Sequence, residues 1–256
     1  MTTAIIIPAR YASSRYPGKP LTLITGPDGI KRPLIEHTWR VAQTVRHEVT
    51  TYVATDDQRI ADAARGFGAQ VLMTSPDCRN GTERCADALA SLPDDVDLVV
   101  NLQGDAPLTP GWFLDDLIDA LRENDSFDVA TPVLLCDPTA KERLLNDRRN
   151  NRVGGTTAIF TDDFSALYFS KEVLPFGAAD IYHHVGVYAY RPDALRRYAG
   201  WPEGRLEASE GLEQLRFLEN HGRVLCVEMK NAGKDFWEVN NPEDVAIIEE
   251  IYEARA

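Results

Sequence analysis

Short apolar runs recur along the first half of the chain, each opening into a polar loop and then into residues spaced as a helix. IIIPA leads to PLIEHTWRVAQTV, with apolar residues at Leu34, Ile35, Trp39, Val41 and Val45. VTTYVATDD leads to QRIADAARGFG, AQVLMT to GTERCADALASL, and DLVVNLQGDAP to a helix expected from about Gly111 to Leu121. Runs rich in β-branched residues suit strands covered on both faces, and helices between them force parallel crossovers. The rhythm therefore predicts an α/β fold with a doubly wound, mainly parallel sheet.

Beyond Asp128 the pattern changes. DVATPVLLC is followed by a polar stretch, KERLLNDRRNNRVGG, then by TTAIF and SALYFS, which read as strands, and by HHVGVYAYR, whose alternation reads as one more. SEGLEQLRFLENHG reads as a helix capped by Ser209 and stopped by Gly222, VLCVEM as a late strand, and PEDVAIIEEIYEAR as a terminal helix with Pro242 in its first turn. The expected organisation is one domain over 1–256, with a small mixed excursion lobe at about 128–200.

A chain of 256 residues, 44% of them hydrophobic, buries a sizeable core. The net charge of −13 argues against a nucleic-acid or anionic-membrane surface, and no apolar stretch is long enough to span a bilayer. A cytoplasmic location is expected. Cys78, Cys85, Cys136 and Cys226 form no CxxC pair and read as reduced packing residues. With so acidic a chain, an anionic ligand must be held by a few concentrated cations and a divalent metal.

Those cations are found after the first strand. The loop RYASSRYPGKP carries Arg10, Arg15, Gly18 and Lys19 among Pro8, Pro17 and Pro20, at the strand end where open α/β sheets bind ligands. Positive charge on a stiff backbone suits a polyphosphate, although a solvated basic loop would look similar. Asp105 follows a buried strand and a glycine, where one carboxylate suffices to hold Mg2+ against phosphate oxygens; a turn aspartate is the plainer reading. Asn80, Gly81, Thr82 and Arg84 mark a helix start whose donors and acceptors suit the edge of a base, or an ordinary capped helix. Later, Glu213, Gln214, His184 and Tyr188 could bond the hydroxyls of a polar acceptor, and Lys171 could pair with its acid group. His183 and His184 must face opposite sides of a strand, so only one enters any site.

IIIPARYASSRYPGKPL, VATDD, CRNGTERCADAL, VVNLQGDAPL, ALYFS, HVGVYAYR, LEQLR and NNPEDV resemble, in order and spacing, the motifs of the CMP-Kdo synthetases, the 3-deoxy-manno-octulosonate cytidylyltransferases. The resemblance covers nearly the whole chain. It implies a nucleotidyltransferase-like fold and transfer of CMP from CTP to an acid, with release of pyrophosphate, dependence on Mg2+ and a homodimer. It assigns Arg10, Ser13, Arg15 and Lys19 to the triphosphate, with Lys19, Arg15 and Asp105 as the catalytic set. Asn80, Gly81, Thr82, Arg84 and Gln103 would surround the cytidine, and Asp105 would bind the metal. Lys171, His184, Tyr188, Glu213 and Gln214 would bind the acceptor.

This chain departs from the pattern where the acceptor and a second metal ligand belong. Ala106 stands where the family has Glu, Lys171 where it has Arg, and Asn240 where it has a metal-binding Asp, while RRNNRVGG adds three arginines. An amide oxygen still coordinates Mg2+ but attracts it less than a carboxylate. A Kdo-like sugar acid is the expected acceptor. Arg148, Arg149, Arg152 and Lys171 would suit a carboxylate-bearing phosphonate or phosphinate instead. Two further alternatives are a nucleotide-binding protein inactivated at Asn240, and a glycosyltransferase, which the lack of a DxD motif at a strand end disfavours.

Overall fold

The computed structural model describes residues 2–12, 16–153, 155–230 and 237–255. The chain forms two compact units, one from residues 1–115 with 233–256, the other from 116–232. In the first run β1 (Thr2–Ala9), a 3-10 turn at Lys19–Leu21, β2 (Leu23–Thr25), β3 (Lys31–Pro33), α1 (Leu34–Ala42), β4 (Val49–Thr55), α2 (Gln58–Gly66), β5 (Gln70–Met73), α3 (Gly81–Ala88) and β6 (Val96–Asn101), with α4 (Gly111–Glu123) at its boundary. The second holds β7 (Val129–Leu135), α5 (Pro138–Arg149), β8 (Thr156–Phe160), β9 (Ala166–Ser170), β10 (Tyr182–His184), β11 (Tyr188–Tyr190), α6 (Pro192–Gly200), α7 (Arg205–Glu210), α8 (Leu215–Glu219) and β12 (Val224–Glu228). The terminal helix α9 (Asp244–Arg255) belongs to the first unit.

In the first unit the strands lie in the order β5-β4-β1-β6, every neighbouring pair parallel. Ile5, Ile6 and Ile7 at the centre are fully buried, as a strand with neighbours on both edges and cover on both faces requires. Asp57 caps α2 by accepting from Arg59 N (2.9 Å), and Asn80 caps α3 by accepting from Glu83 N (2.8 Å). The strand ends of β1, β4 and β6 thus all open into the same kind of loop, which is what positions the site. α9 is anchored by Ile248 and Tyr252, which pack with Ile24, Leu34, Leu108 and Val239, and by Glu249, which accepts from Thr25 N at 2.7 Å.

The second unit is a mixed sheet. β7 pairs antiparallel with β10 and β11 and parallel with β12, and β10-β8-β9 continue antiparallel. The α/β class with a parallel sheet and a mixed part agrees with the sequence pattern, but several elements differ from it. HHVGVYAYR forms two strands. Opposite its middle lies Pro132, which has no N–H to give to a ladder; instead Val185 N donates to Pro132 O (3.1 Å) and Val187 N turns back to Val185 O (2.8 Å). The stretch KERLLNDRRNN contains a helix, α5, started by Asp137 bonding Ala140 N at 2.7 Å with Pro138 behind it. Only Leu144 of α5 is buried, so apolar periodicity had nothing to report. SEGLEQLRFLENHG is broken: Gly211 takes a left-handed conformation (φ 63°) that ends α7, and α8 starts afresh. Ser209 is no cap but bonds Arg205 O inside α7, and Pro242 precedes α9.

Candidate active site

The loop after β1 turns back on itself at Gly18, whose φ of 74° favours glycine and whose N–H bonds Tyr11 O at 2.9 Å. Pro20, buried in the next position, sets the short turn that carries Lys19. Ser13 and Arg15 lie outside the described residues. Lys19 Nζ donates to Asp105 Oδ2 (2.5 Å) and to Val239 O (2.8 Å), and both Lys19 and Asp105 side chains are largely buried, at 14% and 27% exposure.

Asp105 reaches this point because the chain leaving β6 crosses close over β1. At Gly104 a Cβ would come within 2.8 Å of Pro8 O, so a side chain is excluded; Thr38 Oγ1 holds the same turn by donating to Gly104 O at 3.1 Å. Val239 N in turn donates to Asp105 O (2.9 Å), which brings the segment before α9, and with it Asn240, alongside. Ala106 is buried at 2% exposure.

A single pocket surface joins these groups to the start of α3. Arg10, Lys19, Asn80, Gly81, Arg84, Gln103 and Asp105 all line it, with Pro8, Pro20, Cys78 and Arg79. Thr82 is fully buried beside the wall and does not line it. Gly81 admits Gln103: a Cβ there would lie 2.8 Å from Gln103 Nε2. Gln103 Nε2 donates to Asn101 Oδ1 (3.3 Å), and Asn101 Nδ2 is buried without a hydrogen-bond partner among the described residues. Asn101 and Cys78 stand beside or in this site although no role was expected of them. Both lie inside stretches read as motifs, NLQGD and CRNGTER, where a polar residue in a buried strand and a cysteine before a tight turn were the available signals.

The five residues expected at the acceptor lie in the second unit. His184 is buried, and its Nε2 is 2.9 Å from Thr131 Oγ1. Thr131 Oγ1 also lies 2.8 Å from Val187 O, so the hydroxyl ties the ring to the backbone just before β11. Burial lowers the His184 pKa to about 3, with nearby His183 adding to the effect, so the ring is neutral at ordinary pH. The Tyr188 hydroxyl donates to Gln214 Oε1 (3.2 Å), and the rings of His184 and Tyr188 lie 5.6 Å apart. Gln214 is 2% exposed, and its Nε2 is buried with no partner among the described residues. An amide donor left unpaired in a core costs stability, which marks a place where a ligand oxygen would be welcome. Lys171 N donates to Glu210 Oε2 at 3.0 Å, and its ammonium comes within 2.9 Å of a Cβ at Gly211, so that glycine leaves it room. Glu213 O accepts from Tyr198 OH at 3.3 Å.

A parallel α/β sheet whose strand ends combine a lysine-bearing loop, a carboxylate after a glycine turn and a polar helix start defines a nucleotidyltransferase. The cytidylyltransferase family profile matches residues 4–230, and the chain belongs to that family. It is 42% identical over 259 residues to the 3-deoxy-manno-octulosonate cytidylyltransferase of Maricaulis maris (strain MCS10), across 99% of this chain and 98% of that one. It is likewise 42% identical over 255 residues to the 8-amino-3,8-dideoxy-manno-octulosonate cytidylyltransferase of Shewanella sediminis (strain HAW-EB3), across 97% and 98%. Among solved structures, a CMP:2-keto-3-deoxy-manno-octonic acid synthetase complexed with CTP superposes with a TM-score of 0.87 at 30% identity, covering 100% of both chains. The chain is therefore an enzyme that transfers a cytidylyl group. No helix among the described residues is long and apolar enough to cross a membrane.

Proposed function

We propose that this enzyme transfers CMP from CTP to the hydroxyl of a Kdo-like sugar acid, forming the new P–O bond at the α-phosphorus and releasing pyrophosphate. The observation that carries this reading is the extent of the likeness: it runs through the acceptor-bearing second unit as well as the nucleotide pocket, over 99% of the chain. Lys19 and Arg10, with Ser13 and Arg15 of the same loop, serve the triphosphate. Arg84, Asn80, Gly81 and Gln103 serve the cytidine. In-line attack needs positioning and charge neutralisation rather than a covalent nucleophile, and the pocket is built of such groups.

Mg2+ fits the residues present. Asp105 turns its carboxylate into the pocket and already holds a cation, the Lys19 ammonium, at 2.5 Å. Magnesium takes one or two protein oxygens and leaves the rest of its shell to water and phosphate, so Asp105 with the amide oxygen of Asn240 would hold it. When bound, it neutralises phosphate charge.

On the acceptor side, neutral His184 and the Tyr188 hydroxyl serve hydroxyl groups, Gln214 Nε2, which has no partner among the described residues, serves an oxygen, and Lys171 the carboxylate, with Glu213 beside them. Of the four cations on which the phosphonate or phosphinate alternative rests, Arg148, Arg149 and Arg152 are paired with Glu172, Glu142 and Asp147, and Lys171 would serve the carboxylate of either acceptor. We place the enzyme in the cytoplasm as a homodimer, which light scattering coupled to size exclusion tests.

Pyrophosphate release, measured with CTP, Mg2+ and each of Kdo, its 8-amino-8-deoxy analogue and a carboxyphosphonate, decides the acceptor. Turnover with either sugar acid supports the proposal. Turnover with the phosphonate alone would replace the acceptor, and CTP binding without turnover on any acid would favour the inactive binding protein.

A further inference from the structure

VATDD ends in two aspartates with different work. Asp57 caps α2, whereas Asp56 turns toward Arg84, a residue of the nucleotide pocket. Arg84 is only 3% exposed, and an arginine so buried needs a compensating charge. Its guanidinium donates through Nη1 to Thr74 Oγ1, and Nη2 lies 3.1 Å from Asp56 Oδ1. That oxygen is buried and receives no aligned hydrogen bond among the described residues, so what Asp56 supplies to Arg84 is charge rather than a directed bond.

The two ends of the pocket thus differ. At the Lys19 end, the cation's partner is Asp105, the carboxylate that Mg2+ would take up, so the ammonium is not committed to it. At the α3 end, Arg84 is neutralised and clamped from behind, among Asn80, Gly81 and Gln103. A free arginine would draw phosphate; a neutralised and fixed one offers N–H donors to an uncharged acceptor, such as the ring oxygen and nitrogen of a pyrimidine. We propose that Asp56 is the positioning residue that directs Arg84 to the nucleoside instead of the phosphates. This rests on the cytidylyl-transfer reading and adds a determinant of how the nucleotide is oriented.

Asp56→Asn keeps the shape and removes the charge. Calorimetric binding of CMP and of inorganic pyrophosphate to wild type and variant, with thermal melts by circular dichroism, tests the proposal. CMP affinity should fall about tenfold while pyrophosphate binding is unchanged or tighter, and in the Arg84→Gln background Asp56→Asn should cost CMP little more. Equal losses for both ligands, or no loss for CMP, would overturn it, as would full additivity with Arg84→Gln. Should Asp56→Asn fail to fold, Thr74→Val loosens the same guanidinium, and the same split between CMP and pyrophosphate is expected. Wild type failing to bind CMP at all would instead strike the cytidylyl reading itself.

Discussion

Lys19 is the residue on which the pocket's charges converge, since its ammonium bridges Asp105 Oδ2 and Val239 O. Lys19→Ala should lower kcat by about 10²- to 10³-fold, the range found when one preorganised donor to transition-state charge is removed. Circular dichroism should show the fold retained, and full activity would remove Lys19 from the mechanism. Asn240 sits one residue beyond Val239, whose N–H bonds Asp105 O at 2.9 Å. If the amide is a metal ligand, Asn240→Asp adds a formal charge there, and the Mg2+ concentration giving half-maximal turnover should fall severalfold. An unchanged requirement would count against that role. Single residues of this kind were legible in the sequence because short motifs carry them: Arg10, Lys19, Asn80, Gly81, Arg84, Gln103 and Asp105 all line one pocket. Asn101 and Asp56 were not legible, because their meaning depends on which buried polar atom they face.

At the scale of elements, two glycines distinguish packing of the backbone from packing of a ligand site. Gly104→Ala drives a Cβ to 2.8 Å from the backbone oxygen of Pro8, which cannot swing away. It should destabilise the protein by about 1–3 kcal/mol in urea unfolding, as overpacking does. Gly81→Ala meets side-chain amides rather than backbone, Gln103 at 2.8 Å and Asn101 at 3.2 Å. Its unfolding curve should stay close to wild type while KM for CTP rises, because Gln103 is displaced into the pocket. The reverse pattern would mean that the turn after β6 tolerates a side chain. Elements were readable where apolar spacing was strong, as in β1, α3 and β6. They were misread where a single backbone feature decided, as at Pro132, whose missing N–H splits the strand opposite, and Gly211, whose left-handed turn divides a helix.

For the whole molecule, acid should be felt through His184 before the carboxylates titrate. Its folded pKa of about 3 lies below the ordinary 6.5, so below pH 6.5 the unfolded chain takes up a proton that the folded chain refuses. Stability is therefore lost as pH falls from 6.5 toward 3, by about 2 kcal/mol at pH 5 from this group alone. Thermal melts at pH 7.5 and 5 should show the drop, and His184→Gln should reduce it, with His183, lowered by burial to about 4, supplying a further part; an unchanged slope would mean that the His184 ring is protonated in the fold.

Sequence by itself determined the α/β class, the parallel strands of the first unit and the nucleotide motifs, because hydrophobic period and loop chemistry are local properties. Tertiary structure decided what those residues do to one another. It placed Val239 against Asp105 and Lys19 from more than a hundred residues away, left Gln214 Nε2 buried without a partner among the described residues, and set Asp56 behind Arg84. A buried charge or amide takes its role from the partner that compensates it, and only folding chooses that partner.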